Sequence, residues 1–373
     1  MTFMLTFLGK GGVGRSTVAI ATAQQLASQG KRVLLASQDT GPAIGLMLGI
    51  VPTCDPQSVM PNFEFLQFQS TVLLERSWDE VKRLESQYLK DPFFKAVYGQ
   101  ELGILPGMDE ALALNALREY EASGTYDVII YDGRGDQSTL RMFGMPDIFG
   151  WYLRRFRSVF LESNFVKTLT PFVQPVTSAV LNVDWGSDWL SNPNQEADNI
   201  LAKGKAAVTD PNRVAAYLVT TDATDAIATA QYLWGSAQQI GLTVNGVLLN
   251  QANTIAEEQS FSPLPISPLP FCTLLPLASP DNWQDRWQPL IQALPDLFQN
   301  SAVPRSITID VNQRTVTLFL PHFDKKQVKL TQYGPEVTVE AGDQRRNIFL
   351  PPELCGKPVT GAKFQDSHLV ISF

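Results

Sequence analysis

Residues Gly9-Lys10-Gly11-Gly12-Val13-Gly14-Arg15-Ser16-Thr17 decide how this chain is read. An apolar run, Phe3 to Leu8, precedes them. Val18, Ile20, Ala23, Leu26 and Ala27 follow at a spacing of about 3.6, the period of an amphipathic helix. Gly30 stops that helix, and Val33-Leu34-Leu35-Ala36 forms a second apolar run. Strand, glycine loop, helix, strand is the setting in which a glycine-rich loop holds phosphate. Glycines let successive backbone N–H groups turn toward an anion, and the positive end of the helix adds to the field. The order predicts an α/β fold, a doubly wound and mostly parallel sheet. The phosphate site falls on Gly11, Gly12, Val13, Gly14, Arg15, Ser16 and Thr17, with Ser16 where a hydroxyl would hold Mg²⁺. Arg15 stands where the general G-x-x-x-x-G-K-[ST] loop has lysine. At a tight site the two differ, a bulky planar fork against a compact point charge. Lys10, early in the loop, is the candidate for a second cation.

Outward from the loop, two acidic residues each follow an apolar run: Asp39 after Val33 to Ser37, and Asp132 after Val128-Ile129-Ile130-Tyr131. Both carboxylates are expected at the carboxyl edge of the sheet, where doubly wound folds bind ligands. The alternative for Asp39 is a solvated loop acid. Residues 57–123 and 141–205 interrupt the α/β alternation and are read as a helical insert. Within it Leu74, Trp78, Val81, Leu84 and Tyr88 recur at helical spacing. Aromatics crowd residues 143–172, with Phe149, Tyr152, Phe156 and Phe160 on one helical stripe. That stripe is either an apolar groove or a core seam, with Arg154, Arg155 and Arg157 as a solvated face. Val214 to Val219 and Val244 to Leu249 resume the α/β pattern. The first domain is thus placed at residues 1–300. After a linker, residues 304–373 alternate with period two, as at Thr315 to Leu320, Val337 to Val339 and Leu369 to Phe373. This predicts a small all-β sandwich.

Composition narrows the function. The chain has 373 residues, 29 basic and 37 acidic, for a net charge of −8. From Pro304 onward nine basic residues face seven acidic ones, so the first 303 residues carry −10. Such a body is poorly suited to phosphate-backbone contacts, and no nucleic-acid partner is expected. The three cysteines, Cys54, Cys272 and Cys355, lie far apart, without the spacing of a disulfide framework or a zinc site. A reduced, cytoplasmic setting is the expectation, and no run approaches the roughly 18 apolar residues of a membrane span.

Lys-Gly-Gly-x-Gly with its early lysine resembles the deviant Walker A loop of the MinD-like P-loop ATPases. Among these the chain is similar to the arsenical-pump (ArsA) and tail-anchored-protein-targeting ATPases. Ser37-Gln38-Asp39-Thr40-Gly41-Pro42-Ala43 looks like their first switch. Pro106-Gly107-Met108-Asp109-Glu110, the Walker B strand Tyr126 to Asp132, and Val247-Leu248-Leu249-Asn250-Gln251 look like further family segments. The resemblance implies ATP and Mg²⁺ as cofactors and a nucleotide-gated homodimer. Lys10 would then reach the partner's phosphates, Asp39 would polarise the attacking water, Ser16 and Asp132 would hold the Mg²⁺ shell, and Asn250 would read adenine. It also implies an apolar or amphipathic polypeptide client and a membrane-associated partner. The second switch departs: Gly133-Arg134-Gly135-Asp136-Gln137-Ser138 replaces a stretch in which the family has a histidine at the position of Ser138. Two flanking glycines make this loop expected to be flexible. Slow hydrolysis, a catalytically degenerate nucleotide-binding chaperone or scaffold, and the ATPase subunit of an anion (arsenite) transporter all remain open. Cysteine placement counts against the last, and no zinc clamp is expected. Leu318 to Leu330, Val337 to Arg346 and Ala362 to Phe373 resemble the α-crystallin (HSP20-like) fold. That module is either a docking or client-contact domain or a structural cap.

Overall fold

The computed structural model describes residues 2–77, 107–162, 195–251, 269–274, 285–297 and 303–373. The predicted opening is present. β1 (Phe3–Leu8) leads through the glycine loop into α1 (Arg15–Ser28), then β2 (Val33–Ser37) and the short α2 (Ala43–Leu48). There follow β3 (Gln57–Met60), β4 (Phe63–Gln67), α3 (Met108–Ser123), β5 (Val128–Asp132) and α4 (Gln137–Glu162). α5 (Gln195–Thr209), β6 (Val214–Thr220), α6 (Thr224–Ile240), β7 (Thr243–Leu249), β8 (Phe271–Thr273) and α7 (Gln288–Ala293) complete the first unit.

The sheet has eight strands in the order β3-β4-β2-β5-β1-β6-β7-β8. All pairings are parallel except β3 with β4. Its central strands are buried on both faces and read as unbroken apolar runs. Alternation sorts their side chains: Met4, Leu8, Ile129 and Tyr131 enter one core, and Leu5, Phe7 and Ile130 the other. α1 and α7 cover the second core, whereas α3, α4 and α6 cover the first. From β1 the chain crosses to β2 on one side, and later elements build outward from β6 on the other. Loops at the carboxyl edge of β1 therefore part, and a crevice opens over the glycine loop.

Two segments differ from expectation. Residues 57–67, assigned to the helical insert, form β3 and β4 at the sheet edge, because Phe63, Phe65 and Leu66 alternate and pack into the cores. Phe271–Thr273, in the proline-rich stretch, pairs with β7 as an eighth strand. Leu74 is buried as expected, whereas Trp78, Val81, Leu84 and Tyr88 lie outside the described residues. On α4, Phe143 is in the core, but Phe149 and Tyr152 are 43% and 50% exposed. The side chains of Phe156 and Phe160 are outside the described set.

The C-terminal region is the expected antiparallel sandwich. Its four-stranded sheet runs β14 (Gly361–Gln365), β15 (His368–Ser372), β10 (Thr315–Phe319), β9 (Ile307–Asp310). It faces β11 (Val328–Tyr333), β12 (Glu336–Ala341) and β13 (Gln344–Phe349). Val316, Leu318, Val337, Val339, Leu369 and Ile371 fill the space between.

The sandwich is not a free appendage. Phe319 belongs to the α/β core and stacks edge-on against Trp234 of α6 with centroids 5.6 Å apart. Tyr232 of the same helix packs in return on the sandwich core. A Cβ on Gly235 would meet the Pro321 carbonyl oxygen at 2.5 Å, so only glycine admits this approach. Arg346 Nη1 donates to the Gln238 carbonyl at 2.9 Å, capping the end of α6, and burial pushes its guanidinium down to about 10. Arg155, expected on a solvated face, lies 3.4 Å over the Tyr333 ring of the sandwich.

Candidate nucleotide site

The glycine loop lies at the carboxyl end of β1. Gly14 takes a left-handed conformation (φ 89°) and starts α1, whose first turn has no side-chain cap and no acidic residue. The first N–H groups of that helix are therefore free of competing side chains, as an anion site requires. Gly11 and Gly12 are exposed, with nothing within 4 Å of where a side chain would grow. Ser16 and Thr17 are half-buried on the first turn of α1.

Asp132 ends β5 beneath this loop at 4% exposure. Burial pushes its carboxyl up to about 6. A hydrogen bond with Ser16 and the charge of Arg15 pull it down, and Asp39 pushes it up. Ser16, Arg15 and Asp39 thus all act on the Asp132 carboxyl. A hydroxyl and a buried carboxylate on adjacent strand and helix ends are the hard oxygen donors that suit Mg²⁺.

Arg15 is turned toward the second switch. Its guanidinium donates to the Arg134 carbonyl and faces Asp132 and Asp136; burial lowers its pKa. Gly135 has φ 62°, and a side chain there would collide with the Arg15 guanidinium and the Phe7 carbonyl. The loop expected to be flexible is tied down instead. The Gly9 N–H donates to the Gly135 carbonyl at 2.9 Å, and the Gly135 N–H donates to Thr139 Oγ1 at 2.8 Å. Asp136 caps α4 by accepting from the Ser138 N–H (2.9 Å) and hydroxyl (2.6 Å). The glycine serves close approach here rather than mobility.

Lys10 makes an exposed ion pair with Asp225 in the first turn of α6, Nζ to Oδ2 2.6 Å. Asp39 is exposed, and its Oδ1 accepts from the Gly41 N–H at 2.8 Å. Asn250 is buried after β7, with Nδ2 donating to the Val13 carbonyl at 2.8 Å, so it braces the glycine loop from below.

Sequence reasoning missed one supporting group and quoted another without giving it a role. Gln67, at the end of β4, donates from Nε2 to the carbonyls of Asp39 (2.7 Å) and Gly41 (2.9 Å) and fixes the first switch. Its signal was hidden because residues 57–67 were read as insert. Asp109 and Glu110 form a carboxyl pair at the start of α3. A hydrogen bond from Glu110 holds Asp109 low, while burial pushes Glu110 up. Arg134 Nη2 stands 3.7 Å from Asp109 and links this pair to the second switch.

A mostly parallel sheet, a glycine loop at an uncapped helix start and a buried Asp132 at the end of β5 define a P-loop nucleotide-binding protein. Residues 2–263 match the model of the anion-transporting ATPase family, and residues 312–373 match that of the HSP20-like domain found in ArsA. The chain belongs to the anion-transporting (ArsA) ATPase family. It is 24% identical over 393 residues to a protein of Chlorobaculum tepidum provisionally named an arsenical pump-driving ATPase, covering 99% of this chain and 95% of that one. The arsenical pump-driving ATPase of Acidiphilium multivorum is 31% identical over 166 residues, 43% of this chain and 27% of that one. An ATPase ASNA1 homologue of Paramecium tetraurelia is 30% identical over 147 residues, 38% and 42% of the two chains. Among the described residues no helix is long and apolar enough to cross a membrane. Cys54 lies in the α/β core, Cys272 on β8 and Cys355 exposed in the sandwich, and no group of three or more metal-binding side chains gathers among the described residues.

Proposed function

We propose that the protein binds Mg²⁺·ATP at residues 9–17 and hydrolyses it slowly, as a nucleotide-gated homodimer that handles an apolar or amphipathic polypeptide. The uncapped start of α1 under an open glycine cradle, with Asp132 buried at the end of β5, carries this reading. Mg²⁺ held by Ser16 and Asp132 would neutralise charge on the phosphate oxygens. Gly11 to Thr17 bind phosphate through backbone N–H groups, Asn250 reads adenine by the family likeness, and Asp39 orients the attacking water. Phosphoryl transfer needs chiefly such positioning and charge stabilisation. Slowness follows from Arg15, whose guanidinium is committed to the Arg134 carbonyl. Lys10 would have to leave Asp225 to reach a partner's phosphates. The client reading draws on exposed Phe149 and Tyr152 and on an apolar cavity of about 100 Å³ beside them, between α3, α4 and α5. A membrane-associated partner and a cytoplasmic setting follow from the family likeness.

The commitment of Arg15 equally favours a second reading, a nucleotide-binding scaffold without turnover. Single-turnover hydrolysis of ATP separates the two. Asp39→Asn is expected to slow phosphate release by about a hundred-fold, the usual range for a lost proton-transfer or water-orienting group, while MgADP affinity stays within about three-fold of wild type. Equal release by both proteins removes Asp39 from the chemistry. No release by wild type leaves the scaffold.

A further inference from the structure

Two helices begin at the nucleotide site, and both pack against the sandwich. α4 starts at the second switch: Asp136 caps it, and Gln137 is its first residue. α6 carries Asp225, the partner of Lys10, in its first turn. The turn joining β12 and β13 of the sandwich reaches the first of these starts directly. Gln344 Nε2 donates to Gln137 Oε1 at 2.7 Å, and Gln137 Nε2 donates onward to Ser236 Oγ of α6 at 2.9 Å. Gln344 is 5% exposed, so its amide has little water to turn to. One turn along α4, Arg141 pairs with Asp343. Further on, Trp151 Nε1 donates to Glu336 Oε2 at 3.0 Å, with the Arg345 guanidinium 5.1 Å over its ring.

We propose that Gln344 and the Arg141–Asp343 pair are positioning residues for the second switch: through Gln137 they hold loop 133–136 in the arrangement that keeps Arg15 on the Arg134 carbonyl and away from phosphate. The inference rests on nucleotide binding at the glycine loop. One peptide bond separates Gln137 from Asp136, which faces Arg15, and Gly135 is bonded to Gly9. The path from sandwich to phosphate loop is therefore two hydrogen-bonded steps. A contact made in one state of a switch opposes any ligand that needs the other state, and the coupling acts equally in both directions. Loosening the contact tightens nucleotide binding, and nucleotide loosens the contact.

The test uses the full chain and MgADP, measured by calorimetry. Arg141→Asp and Asp343→Arg are each expected to tighten MgADP about three- to five-fold, and the double exchange to return it to within about two-fold of wild type. Gln344→Glu, which replaces the donor with a carboxylate oxygen that repels Gln137 Oε1, tightens it likewise. Asp343→Asn serves if a charge reversal does not fold. MgADP is expected to shift the emission of wild type and not that of Trp151→Phe, because Trp151 sits in the contact. A merely structural role lowers melting temperature without tightening binding. Affinities that are unchanged or weaker in the single variants, or no restoration in the double, overturn the proposal while the site stands. Failure of the wild type to bind MgADP overturns the functional reading and this inference together.

Discussion

Asp132→Asn is expected to make the nucleotide-free protein more stable above pH 6 and to remove Mg²⁺-dependent hydrolysis. Burial holds the Asp132 carboxyl up at about 6, against its usual value of 3.8, despite the Ser16 hydroxyl and the Arg15 charge. The folded state therefore binds this proton more tightly than the unfolded chain does. The group's contribution is fully present below about pH 4 and is lost as pH rises through about 6. Above that the buried charge costs about 3 kcal/mol. Asparagine keeps the shape and cannot ionise. Urea unfolding between pH 4 and pH 8 is expected to show wild type losing stability over that interval and the variant staying level. Parallel curves would mean that Asp132 ionises without penalty. The same change takes one oxygen donor from the Mg²⁺ site and is expected to lower turnover by about a hundred-fold or more. A protein made firmer and less active by one atom exchange is what a strained functional carboxylate predicts.

Much of this was legible in the residues. The glycine loop, the apolar strand before it and the period of α1 fix β1, α1 and β2, because short-range pattern and buried parallel pairing agree there. Asp132 was placed by the apolar run Val128 to Tyr131 before it, and the sandwich by its period of two. What escaped depends on partners distant in sequence. β3 and β4 looked like the start of an insert because eleven residues carry little pattern, and their identity comes from the pairing of β4 with β2 and of β3 with β4. Gln67 is an ordinary polar residue until the first switch folds over it. Arg15 was recognised as a departure, but its partner is a backbone carbonyl 119 residues away, which no side-chain motif encodes. The docking of the sandwich was invisible for the same reason. Trp234 and Phe319 meet only across the boundary between the two matched domains.

Gly9→Ala is expected to cost about 3 kcal/mol or more, whereas Gly11→Ala costs within about 0.5 kcal/mol. Both glycines belong to one loop, and a sequence reading gives both the same task. At Gly9 the new methyl would run into the Val219 carbonyl oxygen, because β1 and β6 are paired as far as Leu8 and Leu218 and Gly9 and Val219 follow directly. A backbone oxygen in the middle of a sheet cannot move aside as a flexible side chain can. Movement there would also break the bond from the Gly9 N–H to Gly135 and release the second switch. At Gly11 there is open space, and its φ is not in the left-handed region. Thermal unfolding and MgADP affinity, measured on both variants, check the contrast. Gly9→Ala is expected to lose stability and binding together, and Gly11→Ala to keep both, since its backbone N–H is unchanged. Loss of binding without loss of stability in Gly11→Ala would mean that phosphate packs against its Cα rather than resting on the N–H. Equal stability of the two variants would mean that β1 and β6 separate beyond Leu8, and the crevice would then lack the wall that sets its position.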